Sequence, residues 1–185
     1  MGYDKAPRPQ LNPYGQMFAG VDAIPLSDFR KNDMAVLASA GTTSLGITAG
    51  THGSASPMIV SSSTNGTSVT ETARTLYRLP DYYRPGQPIT VRISGRVATA
   101  RTVAATVDVQ AYKSNREGGV GSDLCTTAAA SINSTSWADA EFVINSSGLQ
   151  AGDVLDLELT VANNDTGGSS AGVAQIGAVE VVFSY

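Results

Sequence analysis

At 185 residues, with 12 Lys and Arg against 16 Asp and Glu and a net charge of −4, the chain can bury a sizeable single core and is too acidic overall for a phosphate-gripping nucleic-acid module. One cysteine excludes an intrachain disulfide and a multi-cysteine zinc centre, and one histidine excludes a His-rich metal site. No window nears the ~18 apolar residues of a membrane helix, and only 15% of residues are charged, which leaves a neutral, hydroxyl-rich surface of the kind covered by neighbouring subunits or exposed to harsh surroundings.

In chain order, the first notable stretch is APRPQLNPYGQMF. Pro7, Pro9 and Pro13 fix φ, remove amide donors and push their predecessors to extended geometry, so the segment reads as extended chain, not helix. The start, MGYDKAPRPQ, lacks the uninterrupted apolar run of an export signal. Tyr3, Tyr14, Met17 and Phe18 follow no period that would place them in the chain's own core. Residues 1–31 are therefore expected to form an arm that buries these four side chains against a partner, and residues 32–185 to fold without it.

Beyond Asn32 the side-chain period is two. MAVLASA, SLGITAG, PMIVSSS and TSVTETARTLYRL read as three or four short strands broken by Gly, Asn-Gly and Ser-rich turns. In PITVRISGRV, Ile89, Val91, Ile93 and Val97 fall on one face, with Thr90, Arg92, Ser94 and Arg96 on the other. RTVAATVDVQAY repeats the device with Val103, Ala105, Val107, Val109 and Ala111, and the two runs suggest a hairpin. The small-residue stretch 113–136 is expected to loop across one end. WADAEFVI, DVLDLELTV and IGAVEVVFSY supply three more strands, through Phe142 and Ile144, Leu155 to Val161, and Val179 to Phe183. With no helical crossover, the expected fold is all-β, an antiparallel jelly-roll-like β-sandwich with an extended N-terminal arm.

Charge is unevenly spread along this pattern. Arg74 to Arg116 holds eight basic residues against Asp81 and Asp108, whereas Glu117 to Tyr185 holds nine acids and no Lys or Arg. Basic and acidic strands then face each other, across a sheet or across a subunit boundary. Arg92 and Arg96 on one polar face, and Asp156 and Glu158 on another, are expected to meet at the boundary, because exposed pairs within one sheet contribute only about 0–1 kcal/mol while complementary patches between subunits fix register. Three subunits would close such a head-to-tail contact.

Chemistry-bearing motifs are missing. The sequence has no G-x-S-x-G, H-E-x-x-H or P-loop pattern. Asp156 and Glu158 lie two apart, the solvent-facing pattern of a strand, and not the spaced carboxylate pair of a glycosidase. Cys125 reads as a small, partly buried thiol and His52 as a turn residue. The expectation is a protein with no catalytic residue, cofactor or metal, acting through contact and binding neither nucleic acid nor membrane.

The run LPDYYRPGQPITVRI, followed by the alternating strands, GSDLCTTAAA, STSWADAEFVI and LQAGDVLDLELTV, resembles the small β-sandwich capsid decoration, cement or head-fibre proteins of tailed bacteriophages. The resemblance spans Leu79 to Tyr185 and is one of pattern and composition. It implies a virion structural protein made in the host cytoplasm and placed on the capsid surface, trimeric and anchored by its arm to the major capsid protein or another shell subunit. The rival expectation is a glycan- or receptor-binding β-sandwich of a fibre or tail tip. Against that rival stands the single tryptophan, Trp137; Tyr82 and Tyr83 could add an aromatic surface, although packing beside Pro80 and Pro85 is the commoner fate of such a pair.

Overall fold

The computed structural model describes residues 20–39, 44–63, 66–99, 104–115, 117–165 and 172–184. The arm residues Tyr3, Tyr14, Met17 and Phe18, and also Val103, lie outside this range. Among the described residues twelve strands follow one another: β1 (Gly20–Ala23), β2 (Ala38–Ser39), β3 (Gly46–Thr48), β4 (Met58–Val60), β5 (Thr67–Arg78) and β6 (Ile89–Val97) in the first half. The second half adds β7 (Ala105–Ser114), β8 (Val120–Asp123), β9 (Ala130–Ser131), β10 (Ala138–Ile144), β11 (Val154–Asp165) and β12 (Ala174–Phe183). One 3-10 turn, Leu26–Asp28, is the sole helical element among the described residues.

Two sheets make a sandwich. The larger has seven strands in the order β10-β6-β12-β4-β3-β2, with β1 also against β12; the smaller has five in the order β5-β11-β7-β8, with β9 also against β7. Pairing is antiparallel except between β2 and β3. β4 pairs with β12, β5 with β11, β6 with β10 and β7 with β8. That nesting is one long hairpin rolled on itself, and it deals the strands to the two sheets in jelly-roll order.

The alternating residues fill the space between the sheets. Ile89, Val91 and Ile93 of β6, Phe142 and Ile144 of β10, and Val179, Val181 and Phe183 of β12 are buried on one side, facing Val107 and Val109 of β7 and Leu155, Leu157, Leu159 and Val161 of β11. Each such side chain stabilises the fold by about 1.5–3 kcal/mol through burial. The five strands read from the second half of the sequence are all present. β6 and β7, however, do not form a hairpin: they lie in opposite sheets. Alternation identifies a strand with one buried face but does not name its neighbour, and here the chain crosses between sheets after Val97. Stretch 113–136 is also more than a loop, since β8 and β9 within it both pair with β7.

The boundary at residue 31 is corrected as well. From Gly20 onward the chain belongs to the sandwich. β1 pairs with β12 from Gly20↔Phe183 to Ala23↔Glu180, and Ile24 and Phe29 are buried at 6% and 2% exposure, which counts them in the core and not in an arm. Arg30 and Arg74 then exchange backbone hydrogen bonds, both 2.8 Å, on the smaller sheet. Residues 20–36 thus strap one sheet to the other. Asp22 of β1 adds a side-chain rivet, accepting hydrogen bonds from the hydroxyls of Tyr77 (2.7 Å) and Tyr82 (2.8 Å).

Two outcomes follow from the strap. Removal of residues 1–31 is expected to cripple folding, and Phe29→Ala alone to cost about 3–5 kcal/mol, seen as a lowered urea midpoint; an unchanged midpoint would remove Phe29 from the core. Desolvation, reinforced by the bond to Asp22, holds the Tyr77 hydroxyl neutral well above its ordinary range, and burial raises that of Tyr83 too. An acid whose pKa is raised by folding ionises first in the unfolded chain, so its stabilisation is complete below about pH 10 and is lost as pH rises beyond that. Thermal melts should decline above about pH 10 by up to roughly 1.4 kcal/mol per pH unit for each such tyrosine, and Tyr77→Phe should flatten the decline.

Candidate functional site

Positions two apart on β6 face outward, and the register of its neighbours decides what each one meets. Arg92 lies opposite Glu141 of β10 and Glu180 of β12. Its guanidinium is 3.0 Å from the first carboxylate and 3.7 Å from the second. Arg96 lies opposite Gln175 and donates from Nε to Gln175 Oε1 at 2.8 Å. It also sits 4.5 Å from the ring centroid of Trp137, which immediately precedes β10.

Trp137 is held where it is by a missing side chain. Against β6 the register of β12 slips between Ile176 and Ala178, so Gly177 is an inserted bulge residue. A methyl group there would lie 3.0 Å from Cη2 and Cζ3 of the indole. Glycine therefore lets the ring rest on the sheet backbone. The ring remains 43% exposed.

Beside it runs a groove of about 520 Å³, lined by Ser54, Ser56, Met58, Ser94, Arg96 and Trp137 together with Gly177. The segment 54–58 reaches the sheet through a tight turn in which Thr51 and Ala55 pair. Gly50 starts that turn at φ 68°, where a Cβ would sit 2.2 Å from the carbonyl oxygen of Ala55. Past Gly177 and Pro57 lies an apolar recess of about 570 Å³ bordered by Pro25, Leu26, Ile47 and Ala49. A flat aromatic, a guanidinium, several hydroxyls and an adjoining apolar hollow form a surface suited to holding an amphiphilic ring, one with apolar faces and a polar rim.

The expected site residues are distributed differently. Arg92 and Arg96 are on the outer face of the larger sheet, whereas Asp156 and Glu158 are on β11 in the smaller one, so the two sets do not meet within one chain. Asp156 takes the Nε of Arg74 at 3.1 Å and a second, closer contact from Nη2, and Glu158 accepts from Asn32 Nδ2 at 2.7 Å. Arg92, Asp156 and Glu158 thus have charged or polar partners inside the chain, Arg96 has the neutral Gln175, and the four arm residues fall outside the described range.

Tyr83 is buried at 3% exposure and packs against Phe183, while Tyr82, 51% exposed, meets Phe183 edge-on. His52 is exposed in its turn, and Cys125 is buried, its thiol pushed up by desolvation. Among the described residues no three of His, Cys, Asp and Glu gather as metal ligands, and no helix is long and apolar enough to cross a membrane. Sequence reading gave Trp137 too little weight because one tryptophan looked like too little surface. The usable signal was the spacing of Ile176 and Val179, which breaks the period of two at Gly177.

No protein-family model and no curated protein matches the chain. Among solved structures, it is similar to the CBM22-2 xylan-binding domain from Paenibacillus barcinonensis Xyn10C at 12% identity and TM-score 0.47, over 86% of this chain and 94% of that one. The CBM22-1 xylan-binding domain of the same protein matches at 13% identity and TM-score 0.42, over 78% and 89%. A family 30 carbohydrate-binding module of a Clostridium thermocellum cellulosomal cellulase matches at 12% identity and TM-score 0.38, over 80% and 86%. These are likenesses of β-sandwich fold.

Because Trp137 is the chain's one tryptophan, its fluorescence reports this groove alone. Gly177→Ala should lift the indole from the sheet and shift its emission to longer wavelength while the melting temperature moves by only a few degrees. Unchanged emission would mean that the ring does not depend on the bulge.

Proposed function

We propose that this chain is a non-catalytic glycan-binding β-sandwich whose binding surface is the groove beside Trp137. The observation that carries the reading is the placement of the single tryptophan: half-exposed, fixed against Gly177 and bordered by serine hydroxyls and a guanidinium. A pyranose presents C–H groups on its faces and hydroxyls around its edge. The indole offers the apolar half of that contact, and Ser54, Ser56, Ser94 and Arg96 offer the polar half. Rigidity matters too, since a ring already pinned to the sheet loses little conformational freedom on binding.

Affinity electrophoresis through gels containing neutral or acidic polysaccharides tests the reading. The wild-type chain should be retarded by at least one of them, and Trp137→Ala should weaken binding about tenfold or more, which corresponds to about 1.4 kcal/mol. The variant should fold normally, because an exposed ring contributes little to the core. Migration unaffected by every polysaccharide, or retardation identical in the variant, would remove the groove as a glycan site.

A further inference from the structure

Accepting the groove as a glycan site, we infer that it selects sugars bearing a carboxylate, a hexuronate chain, with Arg96 as the carboxylate receptor. The inference rests on how Arg96 differs from the other arginines of β5 and β6. Arg92 has Glu141 and Glu180, Arg74 has Asp156, and Arg78 has Asp81. Arg96 has no carboxylate within salt-bridge distance among the described residues; its partners there are the amide oxygen of Gln175 and the indole of Trp137. Both are neutral.

A guanidinium stacked on an aromatic uses its π face, and its N–H donors lie in its own plane. With Nε engaged by Gln175, Nη1 and Nη2 have no hydrogen-bond partner among the described residues and belong to a side chain that lines the groove. Two parallel N–H groups match the two oxygens of a carboxylate, and a charge-assisted fork of this kind is roughly twice as strong as a neutral pair. Trp137 lies next to this fork, so a uronate lying in the groove against the exposed part of the indole that the guanidinium leaves uncovered brings its C5 carboxylate to Nη1 and Nη2. Sulfate on a sugar shares the negative charge and can also present two oxygens to the fork, so it is the competing anion that the test must distinguish. Arg92, quenched by two acids on the same face, offers no competing receptor.

The test is titration calorimetry of the full chain with an oligogalacturonate, a neutral xylo-oligosaccharide of equal length and a sulfated oligosaccharide. The oligogalacturonate should bind at least tenfold more tightly than the neutral sugar, and more tightly than the sulfated one, and weaken as ionic strength rises, as a solvent-accessible charge pair does. Arg96→Gln should abolish that preference, and Arg96→Lys should retain charge but lose most of the gain, because lysine has no fork. Equal binding of neutral and acidic sugars, untouched by Arg96→Gln, would overturn the carboxylate inference and leave the glycan site standing. Tighter binding of the sulfated sugar would overturn the carboxylate assignment as well. Failure of all three sugars, together with no retardation by any polysaccharide, would overturn both.

Discussion

The structure depends on shutting one face of each sheet away from water. Two sheets can do this only if every long strand keeps its apolar residues in phase, since a one-residue slip would turn a whole strand's core side chains outward. β6, β7, β10 and β11 obey without interruption, with Ile89 to Val97, Ala105 to Ala111, Ala140 to Ile144 and Leu155 to Val161 all inward. β12 obeys by means of an insertion. Ala174 and Ile176 point inward, Gly177 is looped out of register, and Val179, Val181 and Phe183 resume the inward face. The groove lies at this insertion, where the outer surface cannot continue the regular ladder and a bare backbone lets the indole settle.

The same order of strands accounts for the uneven charge of the sequence. β6 supplies arginines and is flanked in space by β10 and β12, both drawn from the acidic C-terminal third. Arg74 on β5 likewise faces β11. A rolled hairpin pairs strands from the middle of the chain with strands from its end, so a basic middle and an acidic end become alternating neighbours in each sheet. Individually such exposed pairs contribute about 0–1 kcal/mol; collectively they disfavour wrong neighbours, because like charges placed opposite each other would be penalised.

Much of this was legible in advance and some was not, for physical reasons. Strands with one buried face announce themselves, and all five of the regular ones did. Pairing did not, because Val91 and Val107 read the same whether their strands are neighbours in one sheet or face each other across the core. The span 20–31 was misjudged because Ile24 and Phe29 are single anchors spaced along irregular chain, and neither helical nor strand periodicity can flag an isolated residue that fills a gap at the sheet edge. Asp156 and Glu158 read correctly as outward residues, but their partners Arg74 and Asn32 are 82 and 126 positions away in sequence. Trp137 was visible as a residue and invisible as a site, since its surroundings come from β4, β6 and β12 at once.

Arg92 and Arg96 show how finely register decides the surroundings of a side chain. They share a strand, a face and a side chain, and differ by two repeats along β6. What separates them is written in the neighbouring strands: Glu141 and Glu180 fall opposite the first, while Gln175 and the residue just ahead of β10 fall beside the second. A carboxylate at position 175 in place of the amide would quench Arg96 as thoroughly as Arg92 is quenched. The amide keeps the side chain oriented through Nε and leaves its positive charge uncompensated among the described residues. Orientation without neutralisation is what a receptor for an anionic group requires, since a free guanidinium would lose side-chain entropy on binding and a paired one would have to break its existing contact first.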